Sequence, residues 1–144
     1  MGEHVLIPLD GSPHSEKAFE YVLENMPEST ITLLHVINPV RVWTYADEDA
    51  IDIEGYRQEE QRRREQADKL LTEYRDKATE RGLTAEMVVK HGKPARRILE
   101  TAEEVDIDHI VMGSRGRSGI GRVLLGSVAE TVTRRSTVPV TIIR

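Results

Sequence analysis

The chain has 144 residues, no cysteine and a formal net charge of −5. That length suits one domain, 1–144, able to bury roughly 68–70% of its unfolded surface. The acidic balance gives no reason to expect nucleic acid or a membrane surface as a partner, and the lack of cysteine excludes disulfides, thiolate metal sites and thiol nucleophiles.

The first segment, Val5-Leu6-Ile7-Pro8-Leu9, is a continuous apolar run that suits a strand buried on both faces. It is too short to be a signal peptide or a membrane span, so no membrane partner and a cytoplasmic location are expected. Leu6 stands where an N-myristoylation motif needs Ser or Thr. Proline is unwelcome in a central strand, so Pro8 is read as the end of the ladder. Asp10-Gly11-Ser12-Pro13 turns the chain into a helix, with Ser12 as N-cap and Pro13 at the first helical position. Ala18, Phe19, Val22 and Leu23 form that helix's inner face, which stops near Met26-Pro27. Thr30 to Ile37 is a second strand. A loop bearing Trp43, Tyr45 and Ala46-Asp47-Glu48-Asp49 follows, long enough to serve as a lid or contact surface.

A long helix comes next. Ala67, Leu70, Leu71, Tyr74 and Ala78 mark its buried half. The stretch Arg57 to Gln66 lacks apolar residues and is expected in solvent, held by Glu59–Arg63 and Glu60–Arg64 pairs, with Arg62-Arg63-Arg64 a solvated face. Gly82 is placed to cap its end. A third strand is expected over Thr84 to Val89. A helix after Gly92-Lys93-Pro94 buries Ala95, Ile98, Leu99 and Ala102. A fourth strand is expected from Ile107 to Met112, a helix from Ser127 to about Arg135, and a fifth strand from Val138 to Ile143. Strand–helix alternation closing on a strand argues for an α/β sandwich with a parallel sheet, because parallel neighbours need crossovers of this length. Ligands in such folds sit beyond the carboxyl ends of the strands. Asp10 and Gly113 both follow strands and line one crevice if those strands are neighbours.

The strongest chemical signal is Gly113-Ser114-Arg115-Gly116, followed after nine residues by Gly126-Ser127. Glycines let a backbone approach a phosphate, and a helix starting at Ser127 supplies unpaired N–H groups. Arg115, Arg117 and Arg122 add positive charge suited to a polyphosphate. A Walker loop is excluded, because Ser127 occupies the lysine position after Gly121 and Gly126. A Rossmann fingerprint is excluded by the order of Gly116, Gly119 and Gly121. Asp10-Gly11-Ser12-Pro13 is unsuitable as a flavodoxin phosphate loop, and Val89-Lys90-His91 lacks a receiver domain's aspartate. Ser127 and Glu130 also form a Ser-x-x-Glu capping box, which alone would account for that serine. Asp10-Gly11-Ser12 likewise reads as an ordinary strand-to-helix turn. His35 reads as a packed sheet residue. His4, His14, His91 and His109 show no ligand spacing, so no metal site built from protein ligands alone is expected.

The pattern Gly-x2-Gly-x9-Gly-Ser, with Pro8-Leu9-Asp10-Gly11-Ser12, Leu34-His35-Val36 and Ile110-Val111-Met112-Gly113, resembles the ATP-binding branch of the universal stress protein family over essentially the whole chain. The resemblance implies a single-domain three-layer α/β sandwich of the Rossmann-like, adenine nucleotide alpha hydrolase-like type. Its five-stranded parallel sheet would have the order 3-2-1-4-5. It also implies ATP between the ends of strands one and four, and a homodimer through the last strand, Val138 to Ile143. Carried over by position, Asp10 would contact the ribose, with Pro8 and Val36 beside the adenine. Met112 and Gly113 would line the nucleoside. Gly116, Gly126, Ser127 and Val128 would hold the phosphates, with Ser114 in the same loop. Mg would be carried by the phosphates. The implied role is a regulator of the stress response and not an enzyme, as no base is paired with a positioned nucleophile. Two rivals stand beside it. One is an ATP-cleaving enzyme of the related ATP α-hydrolase type, whose Ser-Gly-Gly-x-Asp-Ser loop is not Asp10-Gly11-Ser12. The other is a protein-interaction module with a vacant nucleotide site.

Overall fold

The structure, a computed structural model, describes residues 2–38, 53–115 and 125–144. The elements in chain order are β1 (His4–Pro8), α1 (Pro13–Asn25), β2 (Thr30–Ile37), α2 (Ile53–Glu80), β3 (Thr84–His91), α3 (Pro94–Glu104), β4 (His109–Gly113), α4 (Ser127–Arg135) and β5 (Val140–Ile143). The strands form one parallel five-stranded sheet of order β3-β2-β1-β4-β5. The order reverses between β1 and β4, so a crevice opens beyond their carboxyl ends.

Alternation along the strands splits the core in two. Val5, Ile7, Ile31, Leu33 and Val111 face one side and pack with Phe19 and Val22 of α1 and Leu71 and Tyr74 of α2. Leu6, Leu34, Ile110 and Met112 face the other, against Ile98 of α3 and Val132 of α4. Phe19 and Tyr74 meet edge to face with centroids 4.8 Å apart. Such a pair adds about 0.5–1.5 kcal/mol beyond the area it buries.

The ends of the elements follow from backbone chemistry. Pro8 is the last residue of β1 in register, opposite Leu34. Ser12 caps α1, its Oγ accepting the Ser15 N–H at 3.2 Å. Helix α2 ends in a paired motif: the Gly82 N–H bonds Thr79 O at 2.9 Å and the Leu83 N–H bonds Ala78 O at 2.9 Å, with Gly82 at φ +82°. Helix α3 ends the same way, with Asp106 N to Glu103 O, Ile107 N to Ala102 O and Asp106 at φ +50°. Ile107 therefore belongs to the end of α3, and β4 starts two residues later than the apolar run predicts. β3 runs to His91, two residues further than expected, because Gly92 N continues the ladder to Ile37 O. β5 begins after Pro139, which has no N–H to donate.

The polar half of α2 departs from the solvent-facing expectation. The helix begins at Ile53, and Tyr56, Glu59, Glu60 and Arg63 are half-buried in line with Ala67, Leu71 and Tyr74. Arg63 reaches Glu59 at 3.9 Å and donates to Asn38 O at 3.0 Å. The expected Glu60–Arg64 pair does not form: Glu60 lies 2.6 Å from His91 of β3, and Arg64 lies 3.9 Å from Asp68. Trp43 and Tyr45 lie outside the described residues.

Candidate functional site

A crevice of roughly 750 Å³, solvent at its mouth included, lies over the carboxyl ends of β1, β2 and β4. It gathers Pro8, Asp10, Val36, Met112, Gly113, Gly126, Ser127 and Val128, eight of the ten residues singled out in the sequence. Ser114 is buried and does not line it. Gly116 lies outside the described residues, as do Arg117 and Arg122.

One wall is the turn after β1. Leu9 N donates to Leu34 O at 2.8 Å, extending the ladder one bond past Pro8. Asp10 Oδ1 then accepts Ser12 N at 2.9 Å, which folds the turn into α1. The β2 wall follows from the same pattern. Leu34 O points toward β1, whereas Ile37 O accepts Gly92 N on the β3 side. Successive residues of a strand direct their backbone groups to opposite sides. Val36 therefore turns its N–H and C=O toward β1, at a level where β1 has already ended. A donor and an acceptor thus face the crevice side by side.

The opposite wall comes from β4 and α4. A Cβ on Gly113 would lie 2.7 Å from the His14 main-chain carbon and 2.8 Å from His14 O, so only glycine lets the first turn of α1 come this close. Ser114 N continues the ladder to Ile143 O at 2.8 Å, and Gly126 N closes back on Ser114 O at 2.7 Å. The two ends of the glycine loop are thereby joined, and α4 is launched from the end of β4.

The capping-box expectation is overturned here. The N-cap of α4 is Gly126, with φ −66° and ψ 161° and no side-chain cap, and Ser127 is the first helical residue. Glu130 N bonds Gly126 O at 2.9 Å, and the Glu130 carboxylate is held by Arg134 one turn on. The Ser127 hydroxyl is therefore not used as a cap. The first turn of α4, Ser127 to Ala129, lines the crevice, and the helix dipole favours negative charge at that end.

Sequence reasoning missed the third wall. Pro94 and Ile98 of α3 line the crevice beside Leu34, and Ser15 also contributes; Arg115, named in the sequence for its charge, lines it too. The signal was available: Pro94 opens the helix that leaves the carboxyl end of β3, the same position in the repeat as Pro13 and Ser127. Most of the lining is apolar, and Asp10 is its one carboxylate among the described residues. Such a lining suits a flat apolar ring with a polar appendage.

These features define a doubly wound, Rossmann-like α/β protein with its cleft at the topological switch point. The comparisons with known proteins narrow that class. The description of the universal stress protein family matches residues 1–144. Universal stress protein YxiE of Bacillus subtilis is 34% identical over 148 positions, covering 100% of both chains. Among solved structures, MJ0577, a universal stress protein of Methanocaldococcus jannaschii, superposes with a TM-score of 0.85 at 26% identity, covering 99% of this chain and 96% of that one. A universal stress protein in complex with cAMP superposes with a TM-score of 0.65 at 26% identity, covering 100% of this chain and 98% of that one. The chain belongs to the universal stress protein family.

Proposed function

We propose that this chain is an ATP-binding universal stress protein, one domain over 1–144, acting in the cytoplasm as a homodimeric regulator of the stress response and not as an enzyme. The observation that carries the reading is the crevice, lined by a glycine-capped helix N-terminus beyond β4, by Asp10 beyond β1 and by Val36 and the α3 residues beside β2. The adenine lies among Pro8, Val36 and the α3 wall. Its exocyclic amine and neighbouring ring nitrogen are a donor–acceptor pair that matches the backbone C=O and N–H of Val36. Asp10 accepts from the ribose hydroxyls. The phosphates lie on Gly126, Ser127 and Val128, and Met112 and Gly113 floor the nucleoside. Mg accompanies the phosphates and is held by their oxygens. Among the described residues, no three His, Asp or Glu converge as a ligand set. The related structure in complex with cAMP supports a nucleotide ligand. No described helix is long and apolar enough to cross a membrane.

The dimer is proposed through the last strand, Val138 to Ile143. β5 is an edge strand, and all four of its residues are half-buried in the single chain. Pairing with a second copy covers that edge.

Native mass spectrometry of freshly purified protein tests the assignment. A dimer carrying ATP is expected. AMP with pyrophosphate would point instead to the α-hydrolase type, and an empty protein to an interaction module.

A further inference from the structure

His35 stands next to a cavity residue but faces away from the cavity. Val36 lines the crevice, whereas His35, one residue earlier on β2, projects to the opposite face of the sheet and is half-buried. Its Nδ1 lies 2.7 Å from Leu9 O. A carbonyl only accepts, so Nδ1 carries the hydrogen, and Nε2 is the bare nitrogen of the neutral ring.

That bond falls at a critical place. β1 ends at Pro8, and the chain must then leave the sheet and deliver Asp10 to the crevice. Leu9 is the single residue in between. Its N–H is held by Leu34 O at 2.8 Å, and its C=O is held by His35. Adjacent residues of β2 thus grip both polar groups of Leu9, one through the main chain and one through a side chain. The Leu9 carbonyl shares a rigid peptide plane with the nitrogen of Asp10, so fixing that carbonyl fixes where Asp10 starts. Downstream, Asp10 Oδ1 takes the Ser12 N–H at 2.9 Å and Ser12 Oγ takes the Ser15 N–H at 3.2 Å. Without His35, Leu9 O loses the partner that replaces the ladder.

We propose that His35 is a positioning residue: through the Leu9 carbonyl it sets the carboxylate of Asp10 for the hydroxyls of a bound ribose. The ribose half rests on the nucleotide reading above, and the turn half does not. Asparagine and glutamine separate the proposal from simple packing. Asparagine Nδ2 occupies the place of the histidine Nδ1, whereas glutamine Nε2 occupies that of Nε2.

The test uses ¹⁵N-labelled protein, H35N and H35Q, with the Ser12 amide exchange rate and the affinities for ATP and 2′,3′-dideoxy-ATP as readouts. The neutral ring is expected as the Nδ1–H tautomer. H35N should keep Ser12 protection and ATP affinity within about twofold of wild type. H35Q should lose about tenfold in each. The dideoxy analogue lacks both hydroxyls and should bind all three proteins within about twofold of one another. An Nε2–H tautomer, an H35Q that matches wild type, or an equal H35Q loss for the dideoxy analogue would overturn the proposal. Wild-type protein that binds neither nucleotide would remove the nucleotide reading, and the tautomer with Ser12 exchange would still decide the role of His35.

Discussion

Gly113 has no room for a side chain. Its missing Cβ would lie 2.7 Å from the main chain of His14, and main chain cannot step aside as a flexible side chain can. Gly113→Ala is therefore expected to destabilise the protein by about 2–4 kcal/mol, read as a lower urea midpoint at unchanged slope. Tyr74 gives a second prediction at this scale. It is 7% exposed, and burial, followed by the nearby carboxylates of Glu16, Glu20, Glu73 and Asp10, pushes its phenol up to about 12. Below about pH 10 the phenol is protonated in both folded and unfolded chains, so its contribution to stability is complete. Between about 10 and 12 only the unfolded chain ionises, and stability falls by an amount on the order of 2 kcal/mol. Above that window the folded protein ionises too and the loss levels off. Unfolding measured from pH 9 to 12 should show this fall, and Tyr74→Phe should lack it. If both proteins show the same slope, Tyr74 does not carry it.

Helices α2 and α3 end in the same pair of hydrogen bonds, but with different residues at the left-handed position, Gly82 and Asp106. The first was legible because glycine announces that conformation; the second was hidden because aspartate does not. That difference also explains why the fourth strand was predicted to begin at Ile107, which in fact packs under the end of α3. Asp106→Gly is expected to stabilise the chain by roughly 0.5–1 kcal/mol, seen as a higher melting temperature. A lower melting temperature would show that the aspartate side chain contributes something glycine cannot. The capping box was misread for a related reason. Ser127 and Glu130 have the right spacing, but Gly126 N is tied to Ser114 O, which places the cap one residue earlier. The Glu60–Arg64 pair failed because Glu60 found His91 on a different element, a partner that helical spacing cannot reveal.

At the scale of the whole molecule, sheet direction and alternation were legible from strand-length apolar runs separated by crossover-length helices. The two faces of the crevice at β1 and β4 were legible for the same reason, since turn residues at a strand's carboxyl end point to the cleft. The α3 wall was not, because Pro94 and Ile98 look like ordinary helix-start and core residues until the fold places them beside Leu34. The β5 edge yields a prediction here: sedimentation velocity at micromolar concentration should show a dimer, and a monomer would refute pairing through Val138 to Ile143. The central claim is that the crevice between Asp10 and the start of α4 binds ATP through its glycine cradle. Calorimetric titration of ATP into wild type and Gly126→Glu tests it most directly, with circular dichroism confirming that both are folded. The account predicts saturable binding at one ATP per chain, weakened at least about tenfold where a side chain and negative charge enter the cradle. Absence of binding to wild type at millimolar ATP, or undiminished affinity in the variant, would contradict it.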